Sequence, residues 1–527
     1  MVYNDDEPTP TTNAGNTKGL VTVKDPIDYN RDDVALDKAE SVTAVVELDA
    51  TRSTAVREGV DLVTVLDVSG SMGGEKIDNM KKAMQFVLMK LTPVDRLSIV
   101  TFSNGATREC KLRSVTAAAQ ADIKAIIDRL AAGGGTNIKA GLDTGLAVLT
   151  DRVNTKARTA NIFLMSDGQQ TANNARDVDP GRVAVYTFGF GKDTDHQLLT
   201  DIARKSHGGT FSTPFSQLLA GLLTVVAQDV TLTLRPKTVQ DDPSAGDLDT
   251  MVVAPGTDYK QTTDPATKVI TIDFGYVFAG EVRKVTVDFT LLKSQSDTEF
   301  TAALAEAQLS YSAQTASSAL VTNTKPRPQS TVDLEIFRTQ TPSVYASSKV
   351  RSVQAEIARR QHANAIGVAR AQADGKNLDD ARRTLADAQK VLDGTRVDDA
   401  QSQKQVAMLR AELQQLLALM GSQDVYDAKG RAYALAAETS HGRQRFGDRG
   451  DDTDAVRLFA TPRMDTYLQQ AKQFDKDPTA PLPSAADDVK QEIADNPVSA
   501  VSTQLAFYIQ NAITALQAIE KILSRST

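Results

Sequence analysis

Oxygen-bearing side chains occur in three short motifs of this 527-residue chain. The first motif contains Asp67, Ser69 and Ser71, the second contains Thr136 after two glycines, and the third contains Asp167 between a serine and a glycine. Two carboxylates and three hydroxyls are hard ligands, which suit a divalent cation such as Mg²⁺ in near-octahedral geometry. Because these side chains cannot fill such a shell alone, the sequence predicts a metal site with an open position.

The segments beside the motifs predict the elements that position them. Residues 61–66 are almost continuously apolar, which is typical of a strand buried on both faces of a parallel sheet. The first motif follows this strand, the third follows a predicted strand at 161–165, and the second precedes a predicted helix at 138–149. Since ligands bind outside the carboxyl ends of strands in open α/β sheets, we expect all three motifs on one edge of the sheet.

The rest of this region continues the alternation of strands and helices, which favours a central, mostly parallel sheet with helices on both faces. Its other predicted strands are 97–102 and 182–190, and its other predicted helices are 77–91, 117–130, 196–205 and 215–226. Each motif alone also fits an ordinary turn with a capping side chain. Their order and shared strand-to-loop context favour the metal site.

The three motifs together resemble the metal-ion-dependent adhesion site (MIDAS) of von Willebrand factor type A domains. The resemblance covers about residues 58–226 and departs from the family pattern at no ligand position. It implies a Rossmann-like α/β fold and a carboxylate from a partner protein at the open position. It also implies direct ligation by the hydroxyls and a water-mediated contact for at least one aspartate. The implied ion is Mg²⁺, with Mn²⁺ or Ca²⁺ as alternatives, and its implied ligands are Asp67, Ser69, Ser71, Thr136 and Asp167.

Two further segments, 95–102 and 430–445, resemble plant proteins that carry this domain. Those proteins have a helical C-terminal region similar to that of inter-α-trypsin inhibitor heavy chains. Some of them, the wavy-growth-type ubiquitin ligases, also bear a RING finger, which needs about eight Cys/His ligands for two zinc ions. With only Cys110 and four histidines, this sequence is expected to be a RING-less relative.

Alternating apolar and polar residues predict antiparallel strands on both sides of the α/β region. These strands are 20–23 and 42–48 before it, and 230–234, 270–274, 285–291 and 304–311 after it. We therefore predict a discontinuous β-sandwich, residues 18–57 plus 227–335, with the domain 58–226 inserted in it.

The two ends of the chain differ in character. Residues 1–17 are rich in Thr, Asn, Pro and Gly and are predicted to be disordered. Residues 336–527 show apolar side chains at helical spacing, which predicts a helical C-terminal domain with a final helix at 499–522.

The histidines and the cysteine form no catalytic pattern in the sequence. His196 and His207 are interpreted as surface or capping residues, and His362 as a solvent-exposed helix residue. For His441, among basic neighbours, a structural role is favoured over an anion or partner site. Cys110 lacks a histidine partner, so a nucleophilic role is not expected.

Composition limits the class of protein. The net charge of −8 and the pI near 5.3 argue against non-specific nucleic-acid binding. No stretch approaches the length of a membrane-spanning helix, and the N-terminal residues lack the pattern of a secretory signal. A single cysteine favours a reducing compartment. We therefore expect an intracellular, cytoplasmic protein that does not insert into membranes.

The preferred hypothesis is a non-enzymatic scaffold or binding module whose metal accepts an Asp or Glu side chain of a partner protein. One alternative is metal-assisted hydrolysis at the same ion, with Asp67, Asp167 or Glu75 as general base. Another is an adaptor that acts through the helical domain and keeps a structural metal site. The sequence leaves the oligomeric state open.

Overall fold

The computed structural model places the described parts of the chain in three β-sheets and a helical region. The predicted disordered segment 1–17, the predicted helix 499–522 and His207 lie outside these parts. The described residues are 19–52, 57–155, 158–190, 194–206, 209, 211–212, 215–313, 327–343, 350–447 and 456–495.

The first four strands precede the α/β region. They are β1 (Val21–Val23), β2 (Asp28–Tyr29), β3 (Asp33–Ala35) and β4 (Glu40–Ala50). The α/β region follows with β5 (Gly59–Asp67), β6 (Arg96–Phe102), β7 (Ala106–Arg108), β8 (Arg113–Ser114), β9 (Arg158–Ser166), β10 (Ala184–Gly189) and β11 (Phe211–Ser212).

The strands of the α/β region form one seven-stranded sheet in the order β11-β10-β9-β5-β6-β7, with β8 also paired to β6. Pairing is parallel from β6 to β11. The two short strands β7 and β8 pair antiparallel to β6. The predicted, mostly parallel sheet is therefore confirmed. Within this sheet, the sequence did not predict three strands of two or three residues, β7, β8 and β11.

Helices cover both faces of this sheet. They are α1 (Glu75–Lys90), α2 (Ala117–Asp128), α3 (Ile138–Thr150), α4 (His196–Lys205) and α5 (Phe215–Leu222). Side chains alternate between the two faces of a strand. Leu62 and Leu66 accordingly share a core with α1, α2 and α5, whereas Val63 and Val65 share a core with α3 and α4.

One predicted helix boundary is wrong. The helix expected over 215–226 ends at Leu222, and strand β12 (Val225–Pro236) begins three residues later. The Thr224 hydroxyl donates to the backbone oxygens of Ala220, at 3.1 Å, and Gly221, at 2.8 Å, within the last turn. The β-branched pair that follows favours extended backbone over helix, so the chain enters a strand there.

The remaining strands are β12, β13 (Leu248–Val253), β14 (Lys260–Thr263), β15 (Ile270–Phe278), β16 (Val282–Leu291), β17 (Phe300–Ser312) and β18 (Arg327–Thr339). They form two sheets with the first four strands. One has the order β1-β4-β16-β13 with β2 beside β4, and the other has the order β14-β15-β12-β17-β18-β3. All pairs are antiparallel except β3 with β18.

Segments from both sides of the α/β region thus pair with each other. In the register of β4 with β16, Val46 lies opposite Val285. Buried side chains of both sheets, among them Val46, Val285, Leu232 and Leu309, belong to one hydrophobic cluster. Removing such apolar side chains from water is the main stabilising contribution to this part of the molecule.

The predicted helical C-terminal region is confirmed over the described residues. Its helices are α6 (Val350–Asp374), α7 (Leu378–Gly394), α8 (Ala400–Leu419), α9 (Gln423–Val425), α10 (Arg431–Arg443), α11 (Pro462–Lys476) and α12 (Ala485–Asp495). A π-helical turn, Tyr426–Gly430, joins α9 to α10. Each helix in the described parts of the chain is too short or too polar to span a bilayer.

Helix α11 packs on the α/β region and is joined to α12 by an ion pair between Arg463 and Glu492 at 2.7 Å. Its Met464, Tyr467 and Phe474 belong to the core of α1 and α5. The rings of Phe86 and Phe474 are 5.9 Å apart and edge-to-face, a favourable arrangement for aromatic pairs. The helical region and the α/β region therefore share a core, which the sequence analysis did not predict.

Candidate metal centre

Strand pairing brings the first and third motifs together. Strands β5 and β9 are parallel neighbours, with Leu66 opposite Met165, so Asp67 and Ser166 end adjacent strands at the same edge. The Ser166 hydroxyl donates to Asp67 Oδ2 over 2.6 Å. The predicted shared sheet edge is therefore observed for these two motifs.

The first motif is a tight turn around Asp67. The Ser69 backbone N–H donates to Asp67 Oδ1 over 2.8 Å, and a short 3-10 turn, Gly70–Met72, follows. The Ser69 and Ser71 hydroxyl oxygens lie 3.0 Å apart. At metal–oxygen distances of about 2.0–2.1 Å, neighbouring ligands of an octahedral Mg²⁺ are about 2.9 Å apart. The two hydroxyls therefore already have the spacing of adjacent ligands.

The second motif is held against the first by backbone hydrogen bonds. Gly133 N–H donates to Val68 O over 2.7 Å, and Gly70 N–H donates to Gly134 O over 3.0 Å. Gly134 has φ +85, a left-handed conformation that disfavours other residues, and an added Cβ would meet Ser103 at 3.3 Å. These contacts place buried Thr136 at the same edge. They fix its backbone, whereas Asp67, Ser69 and Ser71 are joined directly through their side chains.

Asp167 is buried and its two carboxylate oxygens differ. Oδ2 accepts a hydrogen bond from the Lys76 ammonium group at 3.0 Å. Oδ1 is buried and has no hydrogen-bond partner among the described residues. A buried carboxylate oxygen without a donor is costly. Oδ1 therefore fits a cation, and this orphan atom agrees with the donor set predicted from the sequence.

Electrostatics at this edge favour a bound cation. Burial raises the pKa of the Asp67 carboxyl above its ordinary value, against hydrogen bonds from Ser166 and Ser69, and the charge of Asp167 raises the pKa further. Two carboxylates thus share a poorly solvated site. A divalent cation would relieve their repulsion, whereas an uncharged ligand would not.

Several residues of the site were not predicted. Lys76 contacts the carboxylate of Asp167, and Ser166 contacts that of Asp67. Asn104 Oδ1 accepts from the Gly135 N–H over 2.8 Å, and Thr171 Oγ1 accepts from the Thr136 N–H over 2.9 Å. Only Ser166 carried a sequence signal, because it precedes Asp167 in the third motif. Lys76, Asn104 and Thr171 contact the site only through the tertiary structure.

The comparisons with known proteins agree with this geometry. Residues 61–220 match the family model of the von Willebrand factor type A domain. The chain carries a von Willebrand factor type A domain. Such domains often mediate metal-dependent protein interactions through a MIDAS. Residues 403–473, in the helical region, match the model described as VWA / Hh protein intein-like.

Relatives of the chain include members of the two groups that the sequence analysis named. Over 185 residues the chain is 31% identical to the E3 ubiquitin-protein ligase WAV3 of Arabidopsis thaliana, covering 34% of this chain and 25% of that protein. Over 162 residues it is 30% identical to the inter-alpha-trypsin inhibitor heavy chain H2 of Homo sapiens, covering 28% of this chain and 17% of that protein. The chain thus spans a quarter or less of the length of these relatives.

One solved structure shares the fold across most of the chain. It is a von Willebrand factor type A protein from Catenulispora acidiphila, with a TM-score of 0.55 and 17% sequence identity. The match covers 78% of this chain and 92% of that one. The similarity therefore extends beyond the von Willebrand A domain to the parts that surround it.

A second group of potential metal ligands lies in the helical region. His362 of α6, Glu412 of α8 and His441 of α10 are fully buried, so the prediction that His362 is exposed to solvent is wrong. Each imidazole Nε2 lies 2.7 Å from Glu412 Oε2. Ligands about 2.1 Å from a tetrahedral zinc ion would be about 3.4 Å apart. The shorter spacing is that of hydrogen bonds.

The surroundings of His441 also favour a hydrogen-bond network over a metal. Arg359 Nη1, a donor, lies 3.5 Å from His441 Nδ1, whereas metal-binding histidines normally donate from that second nitrogen. Burial lowers the pKa of His441 to about 4, so its ring is neutral near pH 7. The three residues therefore link α6, α8 and α10, which agrees with the structural role predicted for His441.

Proposed function

We propose that this chain is a non-enzymatic, metal-dependent protein-binding module. Asp67, Ser69, Ser71, Thr136 and Asp167 would hold a divalent cation, Mg²⁺ by its preference for hard oxygen ligands. The observation that carries the proposal is the spacing of the Ser69 and Ser71 hydroxyls, 3.0 Å, at the same sheet edge as the orphan Oδ1 of Asp167.

The ligand set suits the capture of an acidic group. Hydroxyl ligands are neutral and neutralise little of a cation's charge, and five side chains leave at least one octahedral position open. A cation bound there supplies a Lewis acid that a partner's Asp or Glu carboxylate completes. The exposed Ser71 and the buried Ser69 place the ligand set at the surface, where a partner can reach it.

Residues beside the site would set specificity. Gly73, Gly74 and Glu75 are exposed next to the first motif. On the other side, the Asp195 N–H donates to Asp167 O over 3.1 Å. There a cavity of about 340 Å³ is lined by Thr194, Asp195, His196, Gln197, Asp374 and Arg431. Because Asp374 and Arg431 belong to the helical region, a partner bound at the metal would contact both regions.

The rest of the chain would act as a scaffold. We propose that the two antiparallel sheets form the predicted sandwich, with the von Willebrand A domain inserted between residues 57 and 227. The relatives named as ubiquitin ligases favour an adaptor that presents a bound partner to other proteins, and we propose that it acts in the cytoplasm. That the adaptor binds a partner protein and recruits an enzyme is part of this proposal.

The geometry favours binding over hydrolysis. A general base must be free to take a proton from water. Asp67 accepts hydrogen bonds on both oxygens, and Asp167, paired with Lys76 through Oδ2, would bind the cation through Oδ1. Glu75, the third candidate base, is exposed at the start of α1. Metal-dependent turnover of phosphoesters or peptides that is lost in Asp167→Ala would support the hydrolase instead.

Selection from a displayed random-peptide library tests the proposal. Immobilised protein is incubated with the library in Mg²⁺ and eluted with EDTA. We expect eluted peptides to be enriched in Asp and Glu, and we expect Asp67→Ala to remove the enrichment. Asp78→Ala, which removes an exposed carboxylate from the first turn of α1, is the matched control and should keep it. Equal recovery from the Asp67→Ala and wild-type proteins would contradict the proposal.

A further inference from the structure

Lys76 occupies an unusual place for a cation. It is the second residue of α1, at the helix end that carries the positive end of the helix dipole and favours acidic side chains. Its ammonium group nevertheless lies 3.0 Å from Asp167 Oδ2, and its side chain is only 26% exposed. The carboxylate of Asp167 compensates this unfavourable placement.

The position of Lys76 matches the electrostatic need of the site. Asp67 and Asp167 are both buried, at 0% and 1% exposure, and their charges repel. The Lys76 ammonium group supplies one positive charge to this pair. It does so on a flexible four-carbon stem, which can turn away without moving the backbone.

We propose that Lys76 is an internal competitor for the cation of the metal centre. Lys76 neutralises Asp167 in the metal-free protein and releases it when the cation binds, which lowers the affinity of the site for divalent ions. This inference rests on the proposed function, since it requires a cation at Asp67, Ser69, Ser71, Thr136 and Asp167. The von Willebrand A domain would then remain stable without metal and load only when the ion is abundant.

The release of Lys76 would also affect what the loaded site attracts. Lys76 lies in the turn that follows the exposed Gly73 and Gly74, so the freed ammonium group stays near the surface of the site. A compact ammonium group beside an open metal position adds to the attraction of acidic ligands, and salt weakens this added attraction.

Calorimetric titration of the full chain with Mg²⁺ tests the competition. The Lys76→Met variant keeps the length of the side chain and removes its charge. In this variant Mg²⁺ does not have to break the ion pair between Lys76 and Asp167. We therefore expect Mg²⁺ to bind about tenfold more tightly than to wild type. The Lys76→Arg variant keeps the charge and should stay within about threefold of wild type.

Lys139 provides a matched control. It is the second residue of α3, which also begins at the metal edge, and its Nζ lies 2.6 Å from Asp143 Oδ2 rather than from a metal ligand. Lys139→Met removes the same charge from the same helical position. We expect its Mg²⁺ affinity to stay within about twofold of wild type, because Lys139 pairs with Asp143 rather than with a metal ligand and salt screens its charge. Thermal unfolding in EDTA verifies that each variant is folded.

The outcomes separate this inference from the proposed function. Tighter Mg²⁺ binding in Lys76→Met, but not in Lys76→Arg or Lys139→Met, supports the role of Lys76 as a competitor. Mg²⁺ binding that Lys76→Met shows and wild type does not supports it equally. Equal affinity in wild type and Lys76→Met overturns it and leaves the metal centre in place. Weaker binding in Lys76→Met overturns it too and assigns Lys76 to the stability of the site. Absence of Mg²⁺ binding in both proteins overturns the proposed function and the inference together.

Discussion

At the scale of single residues, the side chains that meet at this sheet edge could be predicted from the sequence, but the contacts around them could not. The three motifs carry their own signal, because hydroxyl and carboxylate side chains follow predicted strands. Lys76 carries no such signal, since its contact with Asp167 spans 91 positions in the chain. The hydrogen bond from Ser166 to Asp67 depends on the parallel pairing of β5 with β9, which the motifs alone do not show.

The raised pKa of Asp67 predicts a conflict between metal binding and stability. Its pKa in the folded protein lies above that in the unfolded chain, so the charged carboxylate destabilises the metal-free protein at pH 7. This cost shrinks as the pH falls toward the raised pKa. We therefore expect Asp67→Asn to raise the thermal midpoint in EDTA, by about 2–4 °C for each kcal/mol recovered.

Addition of Mg²⁺ completes that measurement. A saturating ion stabilises wild type by mass action, by about 2.7 kcal/mol at one hundred times the dissociation constant, and should not stabilise Asp67→Asn. The exposed Asp78→Asn should match wild type in both conditions. A lower midpoint for Asp67→Asn in EDTA, or an undiminished response of this variant to Mg²⁺, would contradict the account of the site.

At the scale of elements, several long periodic segments were predicted well, whereas the short strands and one long strand, β18, were not. The strand 97–102 and the helix 196–205 lie within a residue of β6 and α4. The short strands β7, β8 and β11 depend on pairing with neighbours and have too few residues to show a period. The buried His362 was missed because its partners, Glu412 and His441, lie on other helices.

The hydrogen-bonded group His362, Glu412 and His441, which joins α6, α8 and α10, predicts that stability depends on pH. Burial lowers the pKa of His441 to about 4 in the folded protein, against 6.5 for an ordinary histidine. Below pH 6.5 the unfolded chain takes up a proton that the folded protein refuses, so stability is full above pH 6.5 and falls as the pH drops toward 4. The loss attributable to His441 is on the order of 3 kcal/mol.

Denaturant unfolding followed by circular dichroism at several pH values between 7.5 and 4.5 measures this loss. His196, partly buried, also has its pKa lowered to about 4 by burial and acts in the same direction, so His196→Asn removes its share of the loss. A free energy of unfolding of His196→Asn that stays constant across this range would show that His441 does not titrate as the structure implies.

At the scale of the whole molecule, helices α11 and α12 are part of the von Willebrand A domain's core, whereas α6, α7 and α8 share a separate one. Tyr467 of α11 is fully buried, and the ammonium group of Lys90 lies 4.5 Å from the centre of its ring. Buried Lys90 is also paired with Asp488 of α12 at 3.1 Å. The sequence could not show this, because separate helical patterns do not reveal which core each helix joins. Part of the predicted helical region, residues 336–527, therefore shares the core of the von Willebrand A domain.

This shared core predicts that a change in α11 destabilises the metal-binding region. Tyr467→Ala should lower the free energy of unfolding by about 3–5 kcal/mol, the range for large aromatic residues in cores. The thermal transition that Mg²⁺ stabilises should move down by the same amount. Val425→Ala, at a side chain 42% exposed, should change little. A Mg²⁺-responsive transition that Tyr467→Ala leaves unchanged would show that the two regions unfold independently.

The central claim, a divalent cation at the von Willebrand A domain's sheet edge, is tested most directly by a crystal grown in Mn²⁺ and measured for anomalous scattering. The account predicts one peak about 2.0–2.3 Å from both the Ser69 and Ser71 hydroxyl oxygens, with the Lys76 ammonium group withdrawn from Asp167. A fully ordered site without a peak, with Lys76 still bonded to Asp167, would contradict it.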